Sequence, residues 1–372
     1  MTAELLPLYV FTGFLGSGKT TLLRNLLQHP EFRDTAVIVN EFGEVGLDHD
    51  LLETSEDDVV VLQGGCVCCT VREDLASTIR RLLERRAAGN TPPFRRMMIE
   101  TTGVADPVPV VFTLRTDPRV RQLFRLQGLI VTVDAQNAVA TLARNVESVR
   151  QVGLADRIVI TKTELVEPEA LQSVRAAVAR INPSVSIRMS AAGLLAPEIL
   201  LGGLEHDPSS SPSEAGRWLI EPSHEDHADH ERGYNHASTY RSISWVGTEK
   251  VDWSSFGIWL TMLLHAHGDR VLRVKGILDV EGATGPVAIH GVQHIVHPPV
   301  HLRSWPKGPR RSRLVLIVSG VSEEAIRESF ELFIRLAKLP MEASIRGVRS
   351  GGSGGIIAGR PVRRRMAPAW LK

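Results

Sequence analysis

A doubly wound α/β domain followed by a small α+β domain is the fold this sequence predicts. Three observations carry the prediction. Over residues 1–205, short runs rich in Val and Ile alternate with amphipathic segments. The runs are apolar on both faces, as parallel strands between two helical layers are. A glycine-rich turn, "GFLGSGKTT", joins the first run to the first amphipathic segment. Beyond a polar stretch at 206–238, strand-like and helix-like segments resume over 239–345.

The elements follow in order. "LYVFT" reads as the first strand, and Leu22, Leu23, Leu26 and Leu27 give the segment after the turn one apolar face. "AVIVN" is the second strand, and Leu75, Ile79, Leu82 and Leu83 stripe the next helix. "RMMIE", "LIVTVD", "RIVIT" and "VSIRMS" complete a mainly parallel sheet. Residues 206–238 are dominated by Ser, Pro, His and acidic side chains and read as a linker. In the second domain "TYRSISWVG" reads as a strand, and "DWSSFGIWLTMLLHAHG" as a helix with Asp252 as N-cap. "RVLRVKGILDV", "VAIHGVQHIVH" and "SRLVLIVSG" read as strands, and "SEEAIRESFELFIRLAK" as a last helix. The tail, 346–372, is Gly-rich and basic and reads as flexible. No internal repeat is visible.

Composition narrows the function. With 43% hydrophobic residues among 372, the chain has material for a sizeable core. No apolar run approaches the roughly 20 residues that span a bilayer, so no membrane role is expected. The N-terminus lacks a basic, cleavable leader pattern. A formal net charge of +1 argues against nucleic acid as a partner. Three clustered cysteines make no disulfide framework and point to a reducing cytoplasm.

"GFLGSGKTT" matches G-x-x-x-x-G-K-[ST] between a strand and a helix, the context a phosphate loop (P-loop) requires. Gly13, Gly16 and Gly18 let backbone N–H groups, Ser17's among them, turn toward phosphate oxygens. Lys19 would reach the terminal phosphates and Thr20 would ligate Mg²⁺, with Thr21 beside it. The first domain is therefore read as a P-loop NTPase. "RMMIETTGVADP" ends a strand on Glu100, a candidate for the Mg²⁺ shell, with Gly103 three residues on, where a backbone N–H would sense a γ-phosphate. A strand-end Glu with a turn glycine is the plain alternative. After the fifth strand, "TKTEL" offers Thr161, Lys162 and Glu164. A carboxylate there accepts from guanine N1–H and N2–H₂ and repels adenine, and the lysine stem lies along a base face. An exposed helix-start loop is the competing reading.

"GGCVCCTVREDL" holds Cys66, Cys68 and Cys69. Thr70 to Glu73 forms a T-x-x-E capping box that starts a helix near Val71, which puts the thiols at a loop-to-helix junction. Thiols there favour the thiolate, and three thiolates with one outside ligand suit tetrahedral Zn²⁺. Apolar packing, redox chemistry and chance clustering are the alternatives.

Taken together, "GFLGSGKTTLL", "VNEFGEVGLDHDLL", "GGCVCCTVREDL", "ETTGVADP" and "TKTEL" resemble the CobW-type P-loop GTPases, the metallochaperone branch of the class that includes nickel and cobalamin maturation GTPases. "LRVKGILDV" and "HGVQHIVHPP" resemble that family's second domain. The resemblance implies slow GTP hydrolysis with Mg²⁺, delivery of Zn²⁺, Co²⁺ or another transition metal from Cys66, Cys68 and Cys69 to a client metalloprotein, and homodimerisation. It implies a switch segment over Asn40–Leu47, with Glu41 as a metal contact or water-positioning group. The family usually has Asp where this chain has Glu164, one methylene longer, so guanine selectivity is expected to weaken while GTP stays preferred.

Two sets of histidines stand apart. His224, His227, His230 and His236 lie in the acidic linker, as a low-affinity metal-collecting site or as plain solvated linker. Strand alternation separates His290, His294, His297 and His301, which read as structural. The competing functional classes are a nucleotide-regulated metal sensor or store with negligible turnover, and an ATP-dependent small-molecule kinase with a structural zinc.

Overall fold

The computed structural model describes residues 5–40, 59–61, 67–70, 75–202, 204, 240–305 and 309–337. Its first half is an eight-stranded sheet flanked by helices. In chain order the elements are β1 (Leu6–Gly13), α1 (Lys19–Leu27), β2 (Thr35–Asn40), β3 (Val59–Val61), β4 (Val67–Thr70), α2 (Leu75–Ala87) and β5 (Arg96–Thr101). There follow α3 (Val108–Thr116), α4 (Pro118–Leu123), β6 (Phe124–Asp134), α5 (Ala138–Arg144) and α6 (Val146–Leu154). The half closes with β7 (Arg157–Thr161), α7 (Pro168–Ile181), β8 (Ser186–Met189) and α8 (Pro197–Leu201). The strand order is β3-β4-β2-β5-β1-β6-β7-β8, parallel throughout except that β3 runs antiparallel to β4.

The two-sided apolar runs explain the sheet. Leu8 and Val10 of β1 enter one core cluster, and Tyr9 and Phe11 enter the cluster on the opposite face. Ala36 and Ile38 against Val37 and Val39 repeat the pattern in β2. Burying both faces leaves a strand no polar side, so these residues are shared between two helical layers.

The second half is an antiparallel sheet of β9 (Tyr240–Gly247), β10 (Val271–Leu278), β11 (Val287–Val292), β12 (Ile295–Val296) and β14 (Ser312–Ser319), in the order β12-β11-β10-β14-β9. The short β13 (Val300–His301) pairs with β11. Helices α9 (Trp253–His267) and α10 (Glu323–Ala337) complete the domain, with Trp259, Leu263, Ile326 and Phe330 packed in one cluster with Val274 and Leu316 of the sheet. Asp252 caps α9 as expected, its Oδ1 accepting from Ser255 N at 2.7 Å.

The two halves share a core. Leu272, Val292 and Ile317 of the second sheet belong to the main apolar cluster of the first domain. A register shift between Val271 and Arg273, where β10 pairs with β14, places Leu272 in that cluster and lets the next residue, Arg273, bond Leu154 O.

Two expectations are corrected. The cysteine segment is not a loop: Val67–Thr70 is strand β4. Four residues that pair in parallel with β2 gain a backbone ladder that no local signal announces. The proposed helix start at Val71 and the Glu73 side of the capping box lie outside the described residues. "VAIHGVQHIVH" is not one strand but a tight hairpin of β11 and β12, turning at Gln293 with φ 48°. The hairpin brings His290 and His297 together, ring centroids 4.1 Å apart, where simple alternation had separated the histidines.

Candidate functional site

The glycine-rich turn leaves β1 and enters α1 through Gly18, whose φ of 83° lies in the left-handed region that glycine adopts without penalty. Gly16 precedes it at φ 70°. Ser17 is buried, its Oγ 2.7 Å from Thr132 Oγ1 of β6. Its carbonyl accepts from Thr161 Oγ1 at 2.7 Å, so the end of β7 holds the turn from behind. Lys19 donates to Gly13 O at 2.9 Å and Phe14 O at 3.2 Å, its ammonium folded across the mouth of the turn. A cleft of about 400 Å³ opens beside Phe14–Ser17, with Asp134, Asn137, Arg144 and Lys162 on its walls.

Thr20 and Glu100 meet. Thr20 Oγ1 donates to Glu100 Oε1 at 2.6 Å, and Glu100 is 4% exposed at the end of β5. Two oxygen donors converging beside a phosphate loop are the hard ligands Mg²⁺ takes, so these residues fit that ion. Thr101 ties the same strand end to β1, giving its hydroxyl hydrogen to Thr12 Oγ1 at 2.7 Å. Thr21 is exposed on α1.

Gly103 packs directly on the phosphate loop. A Cβ there would lie 2.8 Å from both N and Cα of Leu15, so only glycine allows the two backbones to approach this closely. Gln151 of α6, 1% exposed, gives its amide hydrogens to Gly103 O at 3.2 Å and Ala105 O at 3.0 Å. Arg150 pairs with Asp106 at 2.9 Å. Sequence reading missed Gln151. The available signal was a lone amide at the head of the apolar run "QVGL", since a buried amide needs partners.

Base-side groups gather on the other flank. Lys162 has φ 57°, and its Nζ donates to Asp134 Oδ2 at 2.9 Å. Burial works to raise the Asp134 carboxyl, but hydrogen bonds from Asn137, Lys162 and the Gln136 N–H, with the Lys162 charge, outweigh it and hold the group below the usual carboxylate range. Glu164 is exposed, and its Oε2 accepts from Ala192 N at 2.9 Å. Thr163 donates to Ser190 O at 3.3 Å, and Asn25 of α1 donates to Gly193 O at 3.0 Å. The turn at 190–193 thus joins "TKTEL" to α1, a link that sequence reading did not pick out.

For the metal motif the backbone gives register alone. Cys68 pairs with Val37 and Cys69 with Ile38 of β2. Ile38 pairs on its other edge with Ile99, next to Glu100. Cys66, the switch segment beyond Asn40 with Glu41, and the linker with His224, His227, His230 and His236 lie outside the described residues. Among the described residues no group of three or more His, Cys, Asp or Glu is arranged to hold a metal ion. His294 bonds Asp269 at 3.1 Å at the surface, and His301 is exposed. Also among the described residues, no helix is long and apolar enough to cross a membrane.

Comparison with known proteins agrees with this geometry. Residues 7–188 match the CobW/HypB/UreG nucleotide-binding domain, and 240–334 match the cobalamin synthesis protein cobW C-terminal domain. The zinc chaperone YjiA of Escherichia coli (strain K12) is 33% identical over 325 residues, covering 86% of this chain and 96% of the relative. The zinc chaperone CobW of Sinorhizobium sp is 31% identical over 364 residues, covering 88% of this chain and 97% of the relative. The crystal structure of the Zn(II)-bound YjiA GTPase from E. coli superposes with a TM-score of 0.71 at 28% identity, covering 89% of this chain and 99% of that one. A phosphate loop backed by Thr132 and Thr161, a Thr20–Glu100 pair and a cobW-type second domain in one chain lead to one conclusion: the chain belongs to the CobW/HypB/UreG family of P-loop GTPases.

Proposed function

We propose that this GTPase is a metallochaperone, which takes up a transition metal, Zn²⁺ foremost, on Cys66, Cys68 and Cys69 and passes it to a client protein as GTP is bound and hydrolysed. The observation that carries the reading is the order of three neighbouring strands. Strand β2 pairs with the thiol strand β4 on one edge and with the Glu100 strand β5 on the other. At about 4.8 Å per strand, the thiol strand lies about 10 Å from the strand that carries Glu100. A change at the nucleotide has two backbone ladders to cross before it reaches the cysteines. That relatives are named zinc chaperones supports the metal and the delivery.

The nucleotide chemistry would fall to residues of the phosphate loop and its two flanks. Lys19 would leave the Gly13 and Phe14 carbonyls for phosphate oxygens, and Thr20 with Glu100 would hold Mg²⁺. The ion, when bound, neutralises charge on the phosphates. Gly103 N–H would report the γ-phosphate. Lys162 and Glu164 would read guanine, with Asp134 and Ala192 N fixing their positions. Glu41 is offered as the water-positioning group. The client would dock on the second domain, the chain would pair with a second copy, and the work would proceed in the reducing cytoplasm. The linker histidines would collect metal for the thiols, so deleting 224–236 lowers loading at limiting metal.

The test is a metal titration of metal-free protein with and without GTP–Mg²⁺, repeated with Cys66, Cys68 and Cys69 replaced by Ser. Zn²⁺ affinity that shifts with nucleotide and vanishes in the Ser variant supports the reading. Equal affinity in both nucleotide states overturns the delivery mechanism. Measured turnover that no metal or client stimulates favours a nucleotide-regulated metal store instead.

A further inference from the structure

We infer that α6 is a strut that links the Gly103 segment to the second domain, with Gln151 as the positioning residue at its near end and Arg273 as its grip at the far end. The inference rests on the reading of Gly103 as the γ-phosphate reporter.

At the near end α6 holds the turn after β5 at three points. The two amide hydrogens of Gln151 go to Gly103 O and Ala105 O, and the Arg150 guanidinium pairs with Asp106. Asp106 in turn accepts from Val108 N at 3.0 Å, at the start of α3. The Gly103 peptide is thus fixed on both sides, by the Leu15 backbone in front and by Gln151 behind.

At the far end the last turn of α6 is fixed just as fully. Arg273 of β10 donates to Leu154 O and to Asp156 Oδ1. Asn182, the C-cap of α7, donates to Val152 O at 3.0 Å and to Ala155 O at 3.2 Å. Gly153 lies against the second sheet: a Cβ there would stand 3.2 Å from Leu272 Cδ1 and 3.5 Å from Ile317 Cγ2. Tyr240 of β9 sits close enough to Arg150, Asp106 and Glu147 to feel their charges.

Gln151 and Leu154 are three residues apart in one helix, a rise of about 4.5 Å. Less than one turn of helix therefore separates the group that holds Gly103 from the carbonyl that the second domain grips. A turn so short, bonded at both ends, does not bend between them. A displacement of Gly103 on γ-phosphate binding moves Gln151, and with it the seating of β10 on α6. By linkage, what happens at β10 returns to the nucleotide site with the same free energy.

The experiment uses the full chain with Gln151→Met, which keeps the volume and removes both donors. Two quantities are read: the ratio of affinities for a non-hydrolysable GTP analogue and GDP, and the change in amide hydrogen exchange of β10 and β11 between the two nucleotides. In the unaltered chain, exchange in β10 and β11 differs between nucleotide states. In Gln151→Met that difference is lost and the GTP-analogue preference falls about 5- to 100-fold, with GDP affinity kept. Arg273→Lys, which reaches the same strut from the other end, lowers the preference in the same direction and decides the matter if Gln151→Met fails to fold. A Gln151→Met protein that retains both the preference and the exchange difference overturns the strut. So does an unaltered chain that prefers the GTP analogue yet shows no exchange difference. An unaltered chain without that preference instead removes the γ-phosphate reading beneath it.

Discussion

Replacing Gly103 by Ala isolates the contact between the nucleotide loop and the turn after β5. The added Cβ would stand 2.6 Å from Leu15 Cδ2 and 2.8 Å from Leu15 N and Cα. The methyl can rotate away, but the backbone atoms cannot. Carbon pairs settle at about 3.5–4.0 Å, so a gap of roughly 1 Å must open between the two segments. Retreat is opposed, because Gln151 already holds Gly103 O at 3.2 Å from behind. Overpacking of this kind costs about 1–3 kcal/mol of stability. A displacement near 1 Å at a reacting group costs about 100-fold in rate, roughly 2.7 kcal/mol on the barrier. Single-turnover phosphate release from GTP-loaded Gly103→Ala should slow by about that factor, with GTP affinity falling more than GDP affinity. Thermal unfolding on the same samples reads the stability cost. Hydrolysis within about threefold of the unaltered chain, with an unchanged Tm, would refute the steric reasoning.

Three further outcomes are expected. Thr20→Ala removes the 2.6 Å bond to buried Glu100, so the unliganded protein should lose about 1 kcal/mol. Its Mg²⁺ requirement for hydrolysis should also rise at least about tenfold, and Thr20→Ser should restore it; an unaltered Mg²⁺ titration would remove Thr20 and Glu100 from the ion. Glu164→Ala should collapse the preference for GTP over ATP by about tenfold or more in competition binding, if its carboxylate takes both guanine donors as proposed; a retained preference removes Glu164 from base reading. Burial, with the neighbouring Arg273 charge, pushes the Lys275 ammonium down from 10.5 to about 7, against the pull of Asp156. Between those values the unfolded chain binds the proton and the fold does not, so stability rises with pH there, and below about 7 the fold carries the whole cost of the buried charge. Lys275→Met should therefore raise Tm at pH 7 and flatten its rise toward pH 10, by melts across that range; a variant no more stable at pH 7 contradicts this.

The parallel strands could be read from sequence because each is apolar on both faces. β1, β2, β5, β6, β7 and β8 lie where the runs "LYVFT" to "VSIRMS" place them, with β6 starting earlier, at Phe124. The phosphate loop and the Asp252 cap were legible because their residues act within a few positions of each other. What stayed hidden depends on partners distant in the chain. β3 and β4 are three and four residues long and exist by pairing with each other and with β2. The turn at Gln293 uses a left-handed residue that is neither Gly nor Asn. Asp134 meets Lys162 across 28 positions, and Gln151 meets Gly103 across 48. Glu41, Cys66 and the linker histidines lie outside the described residues.

Leu272, Val292 and Ile317 complete an apolar cluster that begins in the other half of the chain. Severing the polypeptide between 205 and 239 should consequently leave two fragments that co-purify rather than drift apart. The amino-terminal piece made by itself would carry an oily scar where those three side chains had been, and would clump in solution. Swapping second domains among relatives would then succeed only when the new piece brings a matching patch, so the two halves are bound to change together.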